Sequence, residues 1–171
     1  MINSFSEVQG NKVFWTVLGE WLESLQKDRG ARAELRRAKS PTEVFTSRAF
    51  WRGLVPLLRR AGFELSTPLL ERLALPVGIL AHARRLSSEK TFPRQLAAIP
   101  KASEEIRDAR FRKLITIRDG DRDELYRMLL RLVRMLDGAV DPVSLTIGTV
   151  WWNETTSRTW AEQYYLHAIT N

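Results

Sequence analysis

The chain has no cysteine, which excludes a disulfide framework, a thiolate nucleophile and any thiolate metal site. It has two histidines, His82 and His167, far apart and without a carboxylate or second histidine at ligand spacing, so each reads as a structural histidine. No apolar run reaches the 18 or so residues a membrane span needs; Arg, Glu or Pro breaks each one. The opening MINSFSEVQGNK lacks a basic region followed by an apolar run, so no signal peptide is expected. Phosphate-cradling GxxxxGK[ST] and GxGxxG patterns are absent. Asp119, Asp121 and Asp123 imitate the start of a calcium loop, but Glu124 stands where glycine is needed and Leu130 where the bidentate Glu belongs. No Ser/His/Asp arrangement suggests itself either. These absences argue against an enzyme, and no metal or cofactor is implied.

What the chain does have is apolar content and positive charge. The 171 residues are 44% hydrophobic, enough for a real core, and carry a net charge of +7, with a pI near 10.2. Such a balance favours an acidic partner, nucleic acid or an anionic surface. The charge is uneven. Residues 28–60 hold Arg29, Arg32, Arg36, Arg37, Lys39, Arg48, Arg52, Arg59 and Arg60 against Asp28, Glu34 and Glu43. From Met135 onward, Arg158 alone faces Asp137, Asp141, Glu154 and Glu162.

Periodicity predicts helices. Val13, Phe14, Val17, Leu18, Trp21, Leu22 and Leu25 keep 3,4 spacing, and after an interruption at Gly30 a short helix runs through Ala31–Ala38. Ser40-Pro41-Thr42-Glu43 is a helix start closed by a capping box. Phe45, Phe50, Trp51, Leu54, Leu57 and Leu58 line the apolar side of the next helical stretch, with Pro56 kinking or breaking it; Pro76 interrupts the one after, which starts near Ser66. Ser103 opens a helix turning Ile106, Phe111, Leu114 and Ile115 inward. Asp119-Gly120 is a turn, and Asp121 with Glu124 a second capping box before the stripe Leu125, Met128, Leu129, Leu132, Val133, Leu136. Asp141-Pro142 caps a segment through Val150 that alternates like a strand but is assigned as helix; Thr155–Ile169 is helical, and Trp151, Trp152 and Trp160 belong to core or protein interface. The fold class is all-α: one domain over 1–171, a compact bundle of roughly eight to nine helices. If it divides, the lobes are 1–86 and 103–171 joined by 87–102.

Three basic ridges emerge on the polar faces. Arg32 and Arg36 are four apart; Arg107, Arg110 and Lys113 are spaced by three; Arg127, Arg131 and Arg134 follow at four and three. Each is a solvated face or a phosphate contact, and three such ridges in a +7 protein favour the second. No aromatic is interleaved with these ridges, so base stacking finds little support. Two rival readings stay open. One is a helical protein-interaction module whose basic faces meet acidic partners. The other is a membrane-surface helix, against which the acidic polar face of the first helix argues.

Three segments, in order, are similar to one family. They are Gly30-Ala31-Arg32-Ala33-Glu34-Leu35-Arg36-Arg37-Ala38; Ala109-Arg110-Phe111-Arg112-Lys113-Leu114-Ile115; and Leu125-Tyr126 through Arg134 followed by Trp152, Trp160-Ala161 and Tyr164-Tyr165. The chain thereby resembles the CasB family, the small subunit of the type I-E CRISPR surveillance complex Cascade. Residues 60–100 carry no matching motif. The resemblance implies an all-helical, non-catalytic, cytoplasmic subunit present in two copies beside the backbone and large subunits, and no membrane association. Its expected partners are CRISPR RNA and the single-stranded regions of target DNA, with a role in stabilising the R-loop for antiviral defence. By motif match Arg32, Arg36, Arg37 and Arg110 fall in the family's basic segments. Arg107, Lys113, Arg127, Arg131 and Arg134 join them from the ridges alone. Adjacent arginines on a helix cannot both face one strand, which sets Arg37 apart from the Arg32–Arg36 pair.

Overall fold

The computed structural model describes residues 1–99, 104–136 and 139–170. They form two compact units, Met1–Ala81 and His82–Asn171. The all-α class holds: the described residues make ten α-helices, a 3-10 turn, a π-helical stretch and a single pair of two-residue strands.

The first unit contains α1 (Lys12–Ser24), α2 (Arg29–Arg37), α3 (Pro41–Phe45), α4 (Val55–Arg60) and α5 (Thr67–Leu80). α3 packs on α5 and α1 on α4. Phe14, Leu18, Trp21, Leu22 and Leu25 of the first apolar stripe are buried, each large side chain contributing about 1.5–3 kcal/mol. Val13 lies at the edge of that stripe, one turn-position away from its centre, and is 54% exposed. Phe14 meets Phe5, Trp15 and Phe63 edge to face at 5.1–5.7 Å, the arrangement ring quadrupoles prefer.

Local chemistry sets the helix ends. The Asp28 side chain accepts from the Ala31 N–H, so α2 starts at Arg29, and Gly30 falls inside its first turn instead of interrupting it. Ser40 accepts from the Glu43 N–H at 3.2 Å, as expected, but the Glu43 carboxylate accepts from the Lys39 N–H at 2.6 Å, one residue before the cap, so the expected box is not closed on Ser40 itself. Pro56 acts differently from a simple kink. Ahead of it, Ala49–Leu54 is π-helical, and the Val55 N–H donates to the Phe50 carbonyl five residues back. The wider turn brings the run to Pro56 in the first turn of α4, where no N–H is required. Gly53 lets this turn close on α1, since a Cβ there would lie 2.7 Å from Nε1 of Trp21. Pro76, expected to interrupt α5, does not: the helix continues to Leu80. All of residues 73–80 are buried, and that burial offsets the roughly 3 kcal/mol an interior proline costs.

The second unit contains β1 (Arg85–Leu86) paired in parallel with β2 (Ala139–Val140), and α6 (Phe92–Ala97), α7 (Glu104–Ile115), α8 (Arg122–Met135), α9 (Pro142–Val150) and α10 (Glu154–Thr170). α10 packs on α6 and α7, and α7 on α8. Residues 142–150 are helical, the Asp141 side chain accepting from the N–H groups of Val143 and Ser144. Gly120 takes the positive φ, +91°, that the Asp-Gly turn requires. Asp121 caps α8, but its own N–H goes to the Arg118 carbonyl, so the second capping box stays half made. Phe111 and Leu114 point inward as expected; Ile106 does not and is 55% exposed, because Arg107 occupies the inward position beside it. The Ser103 cap expected for α7 lies outside the described residues. Trp152 and Trp160 are core residues, with Trp152 Nε1–H donating to the Ile117 carbonyl at 3.0 Å.

Candidate nucleic-acid interface

In the first unit the basic segment runs from α2 to the end of α4. Leu35 anchors α2 in the core, which turns Arg36 and Arg37 to the exterior and leaves Arg32 half-buried. Arg36 Nε–H donates to the Ala81 carbonyl at 3.1 Å, fixing the guanidinium while its terminal nitrogens stay available. Burial first, and the charge of Arg32 second, lower the Arg36 pKa, so this pair is a concentration of like charge. Nε of Arg32 is buried and has no hydrogen-bond partner.

The three acids that should neutralise residues 28–60 are all hydrogen-bonded to the backbone. Asp28 holds the Ala31 N–H, Glu34 the Arg48 N–H at 2.7 Å, and Glu43 the Lys39 N–H. Consequently none of Arg29, Arg32, Arg36, Arg37, Arg48 or Arg52 forms an ion pair with a described carboxylate. Guanidinium forks held this way present donors that suit phosphate oxygens.

In the second unit the ridges are divided. Arg107 is 4% exposed, and its fork is filled: Nη1 donates to the carbonyls of Ala97 and Ile99 at 2.9 and 3.0 Å, and Nε to Asp108 at 3.1 Å. Asp108 also receives the Tyr164 hydroxyl, and the Arg107 guanidinium lies 5.5 Å from the Tyr164 ring centroid. Burial raises the Tyr164 pKa first, and its hydrogen bond to Asp108 adds to the effect. Arg107 therefore tethers α7 to the end of α6 and has no fork to offer a phosphate. Glu124 engages Arg127 at 2.7 Å and Lys113 at 3.9 Å. Arg110 reaches across to the Arg131 carbonyl at 3.5 Å, which ties α7 to α8. Arg131 and Arg134 are exposed on α8 without a described ion pair.

Arg48 and Arg52 were not singled out by spacing, although they lie four apart; what brings them forward is Glu34 turning to the backbone. Among the described residues no group of three or more His, Asp or Glu could hold a metal ion, and no helix is long and apolar enough to cross a membrane.

By fold this is an all-helical protein with basic outer faces. The model of the CRISPR-associated protein Cse2 family matches residues 31–165, and the chain belongs to that family. Its fold is similar to that of CasB from Thermus thermophilus, with TM-score 0.63 and 24% identity over 89% of this chain and 97% of that one. It is also similar to a chain in the crystal structure of E. coli Cascade bound to a PAM-containing dsDNA target, with TM-score 0.67 and 24% identity over 92% and 97%. A further crystal structure, of a Cse2-family CRISPR-associated protein from Thermus thermophilus, gives TM-score 0.65 and 22% identity over 89% and 97%. At these identities the likeness is one of fold. Comparison with curated protein sequences finds no match.

Proposed function

We propose that this chain is the small, non-catalytic subunit of a type I-E Cascade, and that it holds single-stranded nucleic acid of the R-loop on its basic helix faces. It does so beside CRISPR RNA, in two copies that contact the backbone and large subunits. The observation that carries this reading is the commitment of Asp28, Glu34 and Glu43 to backbone N–H groups, which leaves the arginines of α2 without paired carboxylates. Membership of the Cse2 family supplies the setting.

Guide–target pairing carries sequence specificity, and exchanging duplex for heteroduplex is nearly balanced in free energy, so sequence-independent backbone contacts are enough to tip it. The contacting set is Arg32, Arg36, Arg37, Arg110, Arg131 and Arg134, with Arg127 and Lys113 weakened by Glu124 and Arg107 withdrawn into the fold. If all the contacting arginines neutralise phosphates, log affinity for single-stranded DNA falls against log salt with a slope of roughly −4. The test is assembly followed by substitution. The chain should copurify with other Cascade proteins and an RNA of fixed length, and Arg32→Ala/Arg36→Ala/Arg110→Ala should weaken target binding equally for every target sequence. Unchanged R-loop stability in that variant sinks the site. Copurification with proteins alone, surviving nuclease treatment, would instead identify a protein-interaction module.

A further inference from the structure

We propose that Trp51 is a base-stacking platform, with Arg48 and Arg52 gripping the backbone of the same single-stranded segment; the inference rests on the nucleic-acid reading above and adds a contact to the bases. Trp51 is 36% exposed, unusual for a ring on the buried side of a helical run. It is nevertheless held rigidly, edge to face with Phe45 at 5.3 Å and Phe50 at 6.0 Å. The π-helical turn at Ala49–Leu54, a departure often found at functional sites, carries it.

The indole lines a shallow cleft of about 320 Å³ with Thr46, Ser47, Arg48 and Arg52, and no carboxylate is among them. The two hydroxyls are already committed: Thr46 donates to the Thr42 carbonyl at 3.0 Å, and Ser47 donates to the Val44 carbonyl at 2.6 Å and accepts from the Phe50 N–H. Two guanidinium groups and one flat ring remain to receive a ligand. Asp28 and Glu34 line a separate cleft with Arg48 and Arg52, but Glu34 accepts from the Arg48 backbone N–H and Asp28 from the Ala31 N–H, and neither forms an ion pair with these guanidinium groups. The π-helical turn does not follow α-helical spacing; what places Arg48, Trp51 and Arg52 together is that all three line this one cleft. Cationic donors in one cleft with an exposed ring fit an anion joined to a planar base, the combination that single-strand binders use. An acidic protein surface would satisfy the guanidinium groups and leave the ring without a matching plane.

The experiment compares binding of the full chain, at low salt, to a labelled oligothymidine and to an abasic strand of equal length. Wild type should prefer the oligothymidine by about tenfold, the scale of one stacked base. Trp51→Leu should remove that preference and leave abasic binding and the salt slope unchanged; Trp51→Phe, which keeps a ring, should restore most of it. Arg48→Ala/Arg52→Ala should lower the slope by about 1.4 on both strands. If wild type binds both strands equally, or Trp51→Leu weakens both equally, the platform is wrong and the phosphate-binding reading stands. If wild type binds neither strand, both fall. If Trp51→Leu leaves both affinities unchanged but reduces copurification with other Cascade proteins, the ring is a protein contact and the platform is overturned.

Discussion

On α2, Arg32 and Arg36 lie four apart with Glu34 between them; on α8, Arg127 and Arg131 lie four apart with Glu124 one turn earlier. The first glutamate reaches away to the Arg48 N–H, and the second folds back onto Arg127 and Lys113. Arg29, Arg32, Arg36, Arg37, Arg48 and Arg52 of the first unit therefore form no ion pair with a described carboxylate, while the second unit ties several of its arginines into the fold. Net charge counts cations; availability depends on where the nearby carboxylates find their best donors. A backbone N–H at a helix start competes for a carboxylate as effectively as an exposed arginine, whose surface ion pair contributes under about 1 kcal/mol.

The largest expected effect lies at the most internal arginine. Arg107→Ala should cost about 3 kcal/mol, since it strands Asp108 and the carbonyls of Ala97 and Ile99. Urea denaturation of the full chain checks this, and a cost below about 1 kcal/mol would remove Arg107 from the framework. Next comes Arg32→Ala/Arg36→Ala, which should lower the salt slope for single-stranded DNA by about 1.4. Lys113→Ala/Arg127→Ala should change it less, because Glu124 already engages both cations; equal losses would erase the contrast between the units. Third, Glu124→Gln should release Arg127 and Lys113 and strengthen single-strand binding about threefold, given the modest worth of exposed pairs. Binding titrations that show no gain would mean those cations face away from the strand.

The smallest effect is a pH dependence. Burial first, then Lys90 and Arg94, hold the His167 pKa below the ordinary imidazole value. The unfolded chain then takes up the proton first, at about pH 6.5. The stability tied to neutral His167 is complete above that pH and is lost as pH falls through the lower native value. Thermal midpoints between pH 7.5 and 5 should decline more in wild type than in His167→Gln. Parallel curves would rule this out.

Much of the helical scaffold was legible because burial repeats with the helical period: Phe14, Leu18, Trp21 and Leu22, or Leu125, Met128, Leu129 and Leu132, state their own inward faces. The three-segment resemblance likewise pointed to the Cse2 family that the chain proves to join. Failures fall where a residue's role depends on a distant partner. Ile106 has the chemistry of a core residue but is displaced by Arg107, whose acceptors come from a different segment. Pro76 carries a helix-breaking signal that burial overrides, and Pro56 is accommodated by a π turn that Gly53 and Trp21 make room for.

The sequence by itself determined the fold class, the helix caps at Ser40, Asp121 and Asp141, the Gly120 turn and the surplus of arginine. All of these are set by neighbours within a few residues, where spacing is geometry. Only the tertiary structure decided which arginines are available. Packing buries Arg107 and anchors Arg36 on Ala81, and it directs Glu34 to the Arg48 backbone and leaves Trp51 exposed in a cleft with Arg48 and Arg52. A guanidinium can be a tether or a binding group with the same charge and the same spacing. The difference lies in whether acceptors from elsewhere in the chain come within about 3 Å of it.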